Sequence, residues 1–356
     1  MIKRRKTRTV KVGNVKIGSG NTVSIQSMAK TDTSDVDATI RQVRDLENAG
    51  CEIVRVAVKD MEDAKAIGPI RQEIIIPLVA DIHFDYKLAL EAIRQGADKI
   101  RINPGNIYKT GEIDQIIDAA FSAKIPIRIG VNSGSLRGPF TKAGHIADRM
   151  VDSALKTIEH FRNKGFNDLV ISLKASEVPS TIRAYRRMAG ECDYPMHLGV
   201  TAAGLPEEGI VKSSIGIGAL LMEGIGDTVR VSLTGDPVME VDVAKRILAS
   251  LGVRNFGPEL VSCPTCGRCE VDLVSIVKEL EKELRTTNHE PRTTNKQLVI
   301  AVMGCEVNGP GEAKDADIGV AFGKGKGAIF SHGKVIKTVK IDSAIKELFK
   351  LIKKEM

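Results

Sequence analysis

The sequence predicts an α/β protein: a (β/α)8 TIM-type barrel over residues 1–250, followed by a smaller α+β domain over residues 251–356. Three observations point there. Eight β-branched runs alternate with helical periodicity from about residue 22 to residue 250, nothing interrupts the series, and the pattern changes after Gly252. The runs are TVSIQSM, CEIVRVAV, IPLVADI, DKIRIN, IPIRIGVN, DLVISLKA, MHLGVT and DTVRVSLT. Each precedes a plausible helix, the pattern of a closed parallel barrel. A doubly wound open sheet is the rival, and unbroken repeats favour closure.

Ahead of the barrel, TVKVG and NVKIG read as a hairpin turning at Gly13 and Asn14, placed to cover the floor. The first helix shows the local logic. Thr33 or Ser34 is expected to cap it, Ile40, Val43 and Leu46 make its apolar stripe, and Gly50 ends it. Beyond Gly252 a cysteine cluster opens a helical segment, EVDLVSIVKELEKEL, and RTTNHEPRTTNK reads as a loop. Strands in LVIAVM, ADIGVAF and VIKTVKI then lead to a C-terminal helix, DSAIKELFKLIKK.

The 356 residues can bury a large core, and 42% hydrophobic with 27% charged residues is ordinary for a soluble protein. No apolar run reaches spanning length and MIKRRKTRTVKVG lacks the core of a secretory signal, so a cytoplasmic protein without a membrane partner is expected. Thiols stay reduced there, and the six cysteines read as ligands, catalytic groups or core residues rather than disulfides. A net charge of +7 suits nucleic acid or a phosphorylated metabolite. With 4% aromatics and no Trp there are few platforms for stacking bases, which argues against nucleic acid.

Two signals carry chemistry. In four strands an Arg sits between aliphatics: Arg55, Arg101, Arg128 and Arg230. Alternation sends the aliphatics to the helices and the arginines into the lumen, with Asn103, Asn132, Ser172, Lys174, Ser232 and Thr234 on the same parity. Barrel lumens are normally filled with branched aliphatics, and unpaired buried guanidinium groups cost several kcal/mol. A phosphate-rich ligand supplies the missing charge. The alternative is pairing with Asp81 and loop acids, or snorkelling to the barrel ends. Asp81 and His83 fall at a strand's C-terminal end, where barrel enzymes place their chemistry, although a loop-anchoring role fits equally. GIVKSSIGIG places Lys212, Ser213 and Ser214 near an expected helix start, a position that attracts phosphate.

The second signal is CPTCGRC, spanning Cys263, Cys266 and Cys269, joined by Cys305 in MGCEVNGPGEA. A Cys-x-x-Cys turn plus a distant thiolate suits an iron–sulfur cluster. Structural zinc normally brings a second Cys-x-x-Cys pair, which the neighbourhood of Cys305 lacks. Cys51 and Cys192 read as packing residues.

These segments resemble the 4-hydroxy-3-methylbut-2-enyl diphosphate synthase family of the non-mevalonate isoprenoid pathway, in its short two-domain bacterial form. The likeness runs through IQSM, EIVRVAV, ADIHF, IRINPGN, RIGVNSGSL, KSSIGIG, GDTVRVSLT, CPTCGR and MGCEVNGPGEA, essentially the whole chain. It implies a substrate barrel joined to a ferredoxin-like domain that holds a [4Fe–4S] cluster, in a homodimer whose cluster domain closes the partner's barrel. The implied reaction is two-electron reductive ring opening and dehydroxylation of 2-C-methyl-D-erythritol 2,4-cyclodiphosphate, fed by flavodoxin or ferredoxin. By the same resemblance the cluster ligands fall on Cys263, Cys266, Cys305 and the carboxylate of Glu312, with Asn308 beside the open iron. Diphosphate binding falls on Arg55, Arg101, Arg128 and a lysine, Lys212 in preference to Lys174, while strand parity and strand-end position add Asn132, Arg230, Ser232 and His83 as substrate-binding candidates. Two departures stand out: Ala202 replaces the Glu of a family T-E-A-G segment, and Cys269 is an extra thiol, a bystander or a substitute ligand. A zinc-dependent barrel enzyme acting on a phosphorylated metabolite, and a redox-sensing or RNA-binding module, are the competing classes.

Overall fold

A computed structural model describes residues 2–136, 145–286, 297–306, 313 and 315–355. It divides into two compact units, Met1–Arg254 and Asn255–Met356.

The first unit opens with β1 (Val10–Val12) and β2 (Val15–Ile17), an antiparallel hairpin turning at Gly13 and Asn14. Gly13 has φ +56°, as a two-residue hairpin turn requires. Val12, Ile17 and Val15 pack on Ile53 and Val79, so the hairpin seals the floor as its sequence suggested.

Eight parallel strands follow: β3 (Ser24–Met28), β4 (Ile53–Val58), β5 (Leu78–Ile82), β6 (Lys99–Ile102), β7 (Ile127–Asn132), β8 (Leu169–Lys174), β9 (His197–Leu198) and β10 (Thr228–Val229). Their order is β8-β7-β6-β5-β4-β3-β10-β9, and a parallel bridge between Ile171 and Met196 joins β8 to β9. The barrel is therefore closed, as the unbroken repeats predicted. The runs around β9 and β10 give two-residue strands, and pairing past them continues only as scattered bonds: Arg230 N to Leu198 O at 3.0 Å, Thr201 N to Ala175 O at 3.2 Å and Thr234 N to Gly204 O at 2.9 Å.

The helices are α1 (Val36–Asn48), α2 (Met61–Glu73), α3 (Tyr86–Arg94), α4 (Thr110–Ala123), α5 (Ile146–Asn163), α6 (Val178–Glu191), α7 (Pro206–Met222) and α8 (Pro237–Ser250). In α1 the stripe Ile40, Val43 and Leu46 is buried, but Asp35 is the cap, accepting from Ala38 N. Thr33 donates to Ala57 O at 2.6 Å instead, tying the loop to β4.

In the second unit, β11 (Glu259–Ser262), β12 (Val299–Met303) and β13 (Ile318–Gly323) run parallel. β14 (Lys326–Ser331) and β15 (Lys334–Lys340) extend the sheet antiparallel. α9 (Leu273–Thr286) and α10 (Ile341–Glu355) bring Leu280, Leu284, Leu348 and Ile352 to a core with Ile300, Val302, Val320 and Phe322. The sequence reading missed β11 and β14. β14 hides in the glycine- and lysine-rich GKGKGAIFS, where Lys324 (φ +50°) and Gly325 (φ +73°) form its hairpin turn.

Candidate active site: a basic lumen and a cysteine loop

Inward residues of alternate barrel strands stack in layers of four. Applying the register with one residue of stagger per strand places Ile53, Lys99, Val170 and Thr228 lowest. Gln26, Val79, Arg128 and His197 come next, followed by Arg55, Arg101, Ser172 and Arg230. The layer above holds Met28, Asp81, Gly130 and Gly199, and its two glycines leave space that side chains enter. A Cβ on Gly130 would lie 2.5 Å from Arg101 Nε, and one on Gly199 2.7 Å from Lys174 Nζ.

The four arginines are inward, and three of them meet acids. Arg101 Nη1 donates to Asp81 Oδ1 at 2.9 Å and Nη2 to Gly130 O at 3.0 Å. Arg55 reaches Asp81 at 3.6 Å and donates to Met28 Sδ, while burial lowers its pKa to about 10. Burial alone would raise the Asp81 carboxyl, but Arg55, Arg101 and Arg128 hold it well below the usual carboxylate range. Arg230 donates to Ser232 Oγ at 2.6 Å and pairs with Glu240 at 3.2 Å. Pairing with buried acids is thus present for these three, as the alternative reading held for Asp81.

Arg128 is different. It is 1% exposed and its Nε and Nη1 have no hydrogen-bond partner. Lys99 Nζ, on a side chain with no exposure, has none either. Burial and then Arg128 depress the Lys99 amine well below its ordinary value; burial and then Arg55 do the same to Lys174. Lys174 Nζ lies 3.3 Å from His197 Nε2, and His197 Nδ1 is unpartnered. Burial, with Lys174, Arg128 and Lys99 around it, keeps this imidazole neutral.

At the strands' C-terminal ends, Asp81 is buried and inward, and His83 follows β5 with its Nδ1 unpartnered. Asn132 ends β7, where its carbonyl accepts from Ser135 Oγ at 3.1 Å. Lys212 is misplaced by the sequence reading: it sits on α7, outside the barrel, pairing with Glu208 at 3.4 Å. The helix starts six residues earlier than that reading required, so the amides of residues 212–214 bond within it and offer no anion site. Lys174 is the lysine in the lumen.

In the second unit Cys263 follows β11 and Cys305 lies two residues past β12, at neighbouring C-terminal strand ends. Gly304 N donates to Cys263 Sγ at 3.3 Å, and a Cβ on Gly304 would lie 2.4 Å from Cys269 Sγ. Cys305 is buried and Cys266 exposed. The loop thus brings soft thiol donors to one strand edge, although among the described residues no three His, Cys, Asp or Glu side chains already form a metal-holding group. Asn308 and Glu312 lie outside the described residues. Cys51 and Cys192 are remote from this loop in sequence and bond to backbone carbonyls of Ile53 and Met188.

The model of the GcpE TIM-barrel domain matches residues 7–245, and that of the GcpE protein C-terminal domain matches residues 259–354. The chain belongs to the GcpE family. A relative from Thermodesulfovibrio yellowstonii, named 4-hydroxy-3-methylbut-2-en-1-yl diphosphate synthase (flavodoxin), is 54% identical over 356 residues, 99% of this chain and 100% of its own. Relatives of the same name from Caldanaerobacter subterraneus and Clostridium perfringens are 53% and 52% identical, covering 99% and 98% of this chain and 99% of their own. Among solved structures, dihydropteroate synthase from Stenotrophomonas maltophilia superposes with a TM-score of 0.52 at 14% identity. It covers 70% of this chain and 100% of its own, a likeness of fold alone.

Within this GcpE barrel the sequence reading missed Glu240, Lys99 and His197. Glu240, fully buried on α8, takes Lys30 at 3.0 Å, Arg230 and Leu233 N. Its signal was a lone acid in the apolar stripe of Val241, Val243, Ala244, Ile247 and Leu248. Lys99 was visible two positions before Arg101, on the same parity.

Proposed function

We propose that this chain performs the reductive ring opening and dehydroxylation of 2-C-methyl-D-erythritol 2,4-cyclodiphosphate to 4-hydroxy-3-methylbut-2-enyl diphosphate, with flavodoxin as electron donor. The observation that carries the reading is the excess of basic over acidic groups in the lumen. Arg55, Lys99, Arg101, Arg128, Lys174 and Arg230 converge there, against Asp81 and Glu240. A dianionic ligand offsets the excess, and Arg128 has unpartnered N–H groups to receive it.

The balance of the reaction fits such a site. The cyclic dianion, two electrons and one proton give a trianionic open diphosphate and water, so negative charge grows as the ring opens. Fixed cations in a low-dielectric lumen stabilise that growth more than they stabilise the starting ligand. Arg55, Arg101, Arg128 and Lys174 hold the diphosphate in this reading, with Arg230, Ser232, Asn132 and His83 at the rim. Asp81 sets the orientation of Arg55 and Arg101. Ala202, in the loop after β9 with φ +50°, carries no proton.

A [4Fe–4S] cluster is assigned to Cys263, Cys266, Cys305 and Glu312, and when bound it supplies the two electrons. Asn308 is assigned beside its open iron. A soluble cytoplasmic homodimer is the proposed assembly, and no helix among the described residues is long and apolar enough to cross a membrane.

The test uses full-length protein purified without air and assayed for iron, sulfide and visible absorbance. It is then mixed with the cyclic diphosphate and reduced flavodoxin. Formation of the open diphosphate supports the reading, while tight zinc without turnover overturns it.

A further inference from the structure

The two lowest lumen layers hold groups that the proposed chemistry leaves unused. Lys99, inward in the layer above the β1–β2 hairpin, is fully buried, and its Nζ has no hydrogen-bond partner. Above it, His197 Nδ1 and Arg128 Nε and Nη1 are also buried without partners. The groups facing this space are Lys99 on β6, Arg128 on β7, Lys174 on β8, His197 on β9 and Arg55 on β4, joined by the neutral Gln26 and Thr228, which bond to one another at 2.9 Å.

The neighbouring acids are taken elsewhere. Asp98, adjacent to Lys99 but of opposite parity, pairs with Arg71 at 2.6 Å and accepts from Leu78 N. Asp227 pairs with Arg4 at 2.8 Å and accepts from Met196 N. Asp81 is spent on Arg55 and Arg101 one layer above Arg55.

An ammonium without counter-charge or acceptor is costly at such a buried position, whereas a neutral amine is tolerated. A dianion bound on Arg128 changes the balance, because it makes the next positive charge favourable. We propose that Lys99 and His197 form a proton-accepting floor beneath the anion cradle: when a fixed dianion enters the lumen, one proton moves from solvent onto this pair. The N–H bond formed there consumes the nitrogen lone pair, the proton comes from water or buffer, and no electrons move. The proposal rests on the diphosphate reading for its natural ligand, but not for its mechanism.

The cyclic diphosphate is a well-suited probe, since each phosphorus carries a single ionised oxygen and the ligand stays dianionic throughout the neutral range. Any proton taken up therefore belongs to the protein. Calorimetric titrations of the anaerobic full-length protein are run at one pH in two buffers of different ionisation enthalpy, with the cyclic diphosphate and, separately, with sulfate. The expected result is net uptake approaching one proton in the wild type and an affinity that weakens up to tenfold per unit as pH rises. Lys99→Met and His197→Asn should each reduce the uptake, and since each changes one half of the pair, misfolding of one leaves the other to decide.

Binding of the cyclic diphosphate with no buffer dependence overturns the proposal, as does unchanged uptake in both variants. Uptake with sulfate without any binding of the cyclic diphosphate refutes the substrate while retaining the floor. Binding of neither removes both.

Discussion

Gly130→Ala tests whether the space left by a barrel glycine positions Arg101 for binding. Gly130 lies on β7 where a Cβ would stand 2.5 Å from Arg101 Nε, 3.1 Å from Nη2 and 3.2 Å from Cζ. The guanidinium cannot simply swing aside, because Asp81 at 2.9 Å and the carbonyl of Gly130 at 3.0 Å fix both of its ends. Overpacking of this kind costs about 1–3 kcal/mol. Relief requires Arg101 to leave its bond with Asp81, and a displaced Arg101 loses its charge-assisted bond to the ligand, worth about 1.5–3 kcal/mol. At about 1.4 kcal/mol per decade the dissociation constant of the cyclic diphosphate should rise by roughly tenfold to a hundredfold. Titration calorimetry gives the affinity and a thermal melt gives the stability. A Gly130→Ala protein that binds the cyclic diphosphate like the wild type would refute the assignment of Arg101 and of the space beside it.

Replacing Arg128 with Met should raise stability by about 1–4 kcal/mol, since an unpaired buried cation gives way to an apolar chain, yet lower affinity at least tenfold; denaturant melts and calorimetry check both. Lys212→Ala should leave affinity unchanged and Lys174→Met should weaken it, and the opposite order would restore the lysine chosen from sequence. Cys263→Ser should abolish iron and sulfide content, whereas Cys269→Ser should retain both if Cys269 only fills the space at Gly304; loss in the second variant would move the ligand set. Lys99 has a depressed folded pKa, so between that value and about 10.4 the unfolded chain binds more protons and stability rises with pH. Melts from neutral to alkaline pH should therefore show a smaller rise in Lys99→Met than in wild type.

The barrel was legible because its determinants are local. Strand parity needs only alternation, and it placed Arg55, Arg101, Arg128 and Arg230 inward without any knowledge of the sheet. Closure followed from an unbroken count of repeats. The lysine was misread because local pattern misled: KSSIGIG looked like a glycine-rich helix start, whereas Pro206 opens α7 a turn and a half earlier and carries Lys212 to the outside. Parity had already put Lys174 in the lumen, and it was the better guide.

Acids were harder to read than bases, for a geometric reason. An inward strand residue announces itself through its two neighbours, but Glu240 enters from a helix, where successive residues turn by about 100° instead of alternating between two faces. Its partners Lys30, Ser27 and Arg230 lie 210, 213 and 10 residues away in the chain, in no pattern a linear scan can see. The consequence is functional. With Asp81 and Glu240 satisfied by Arg55, Arg101, Lys30 and Arg230, the uncompensated charge falls on Arg128, deep in the barrel rather than at its mouth. On the proposed assignment, attraction for an anion is strongest below the rim, and a cyclic diphosphate drawn down until its phosphates met Arg128 would leave its carbon skeleton facing the open end.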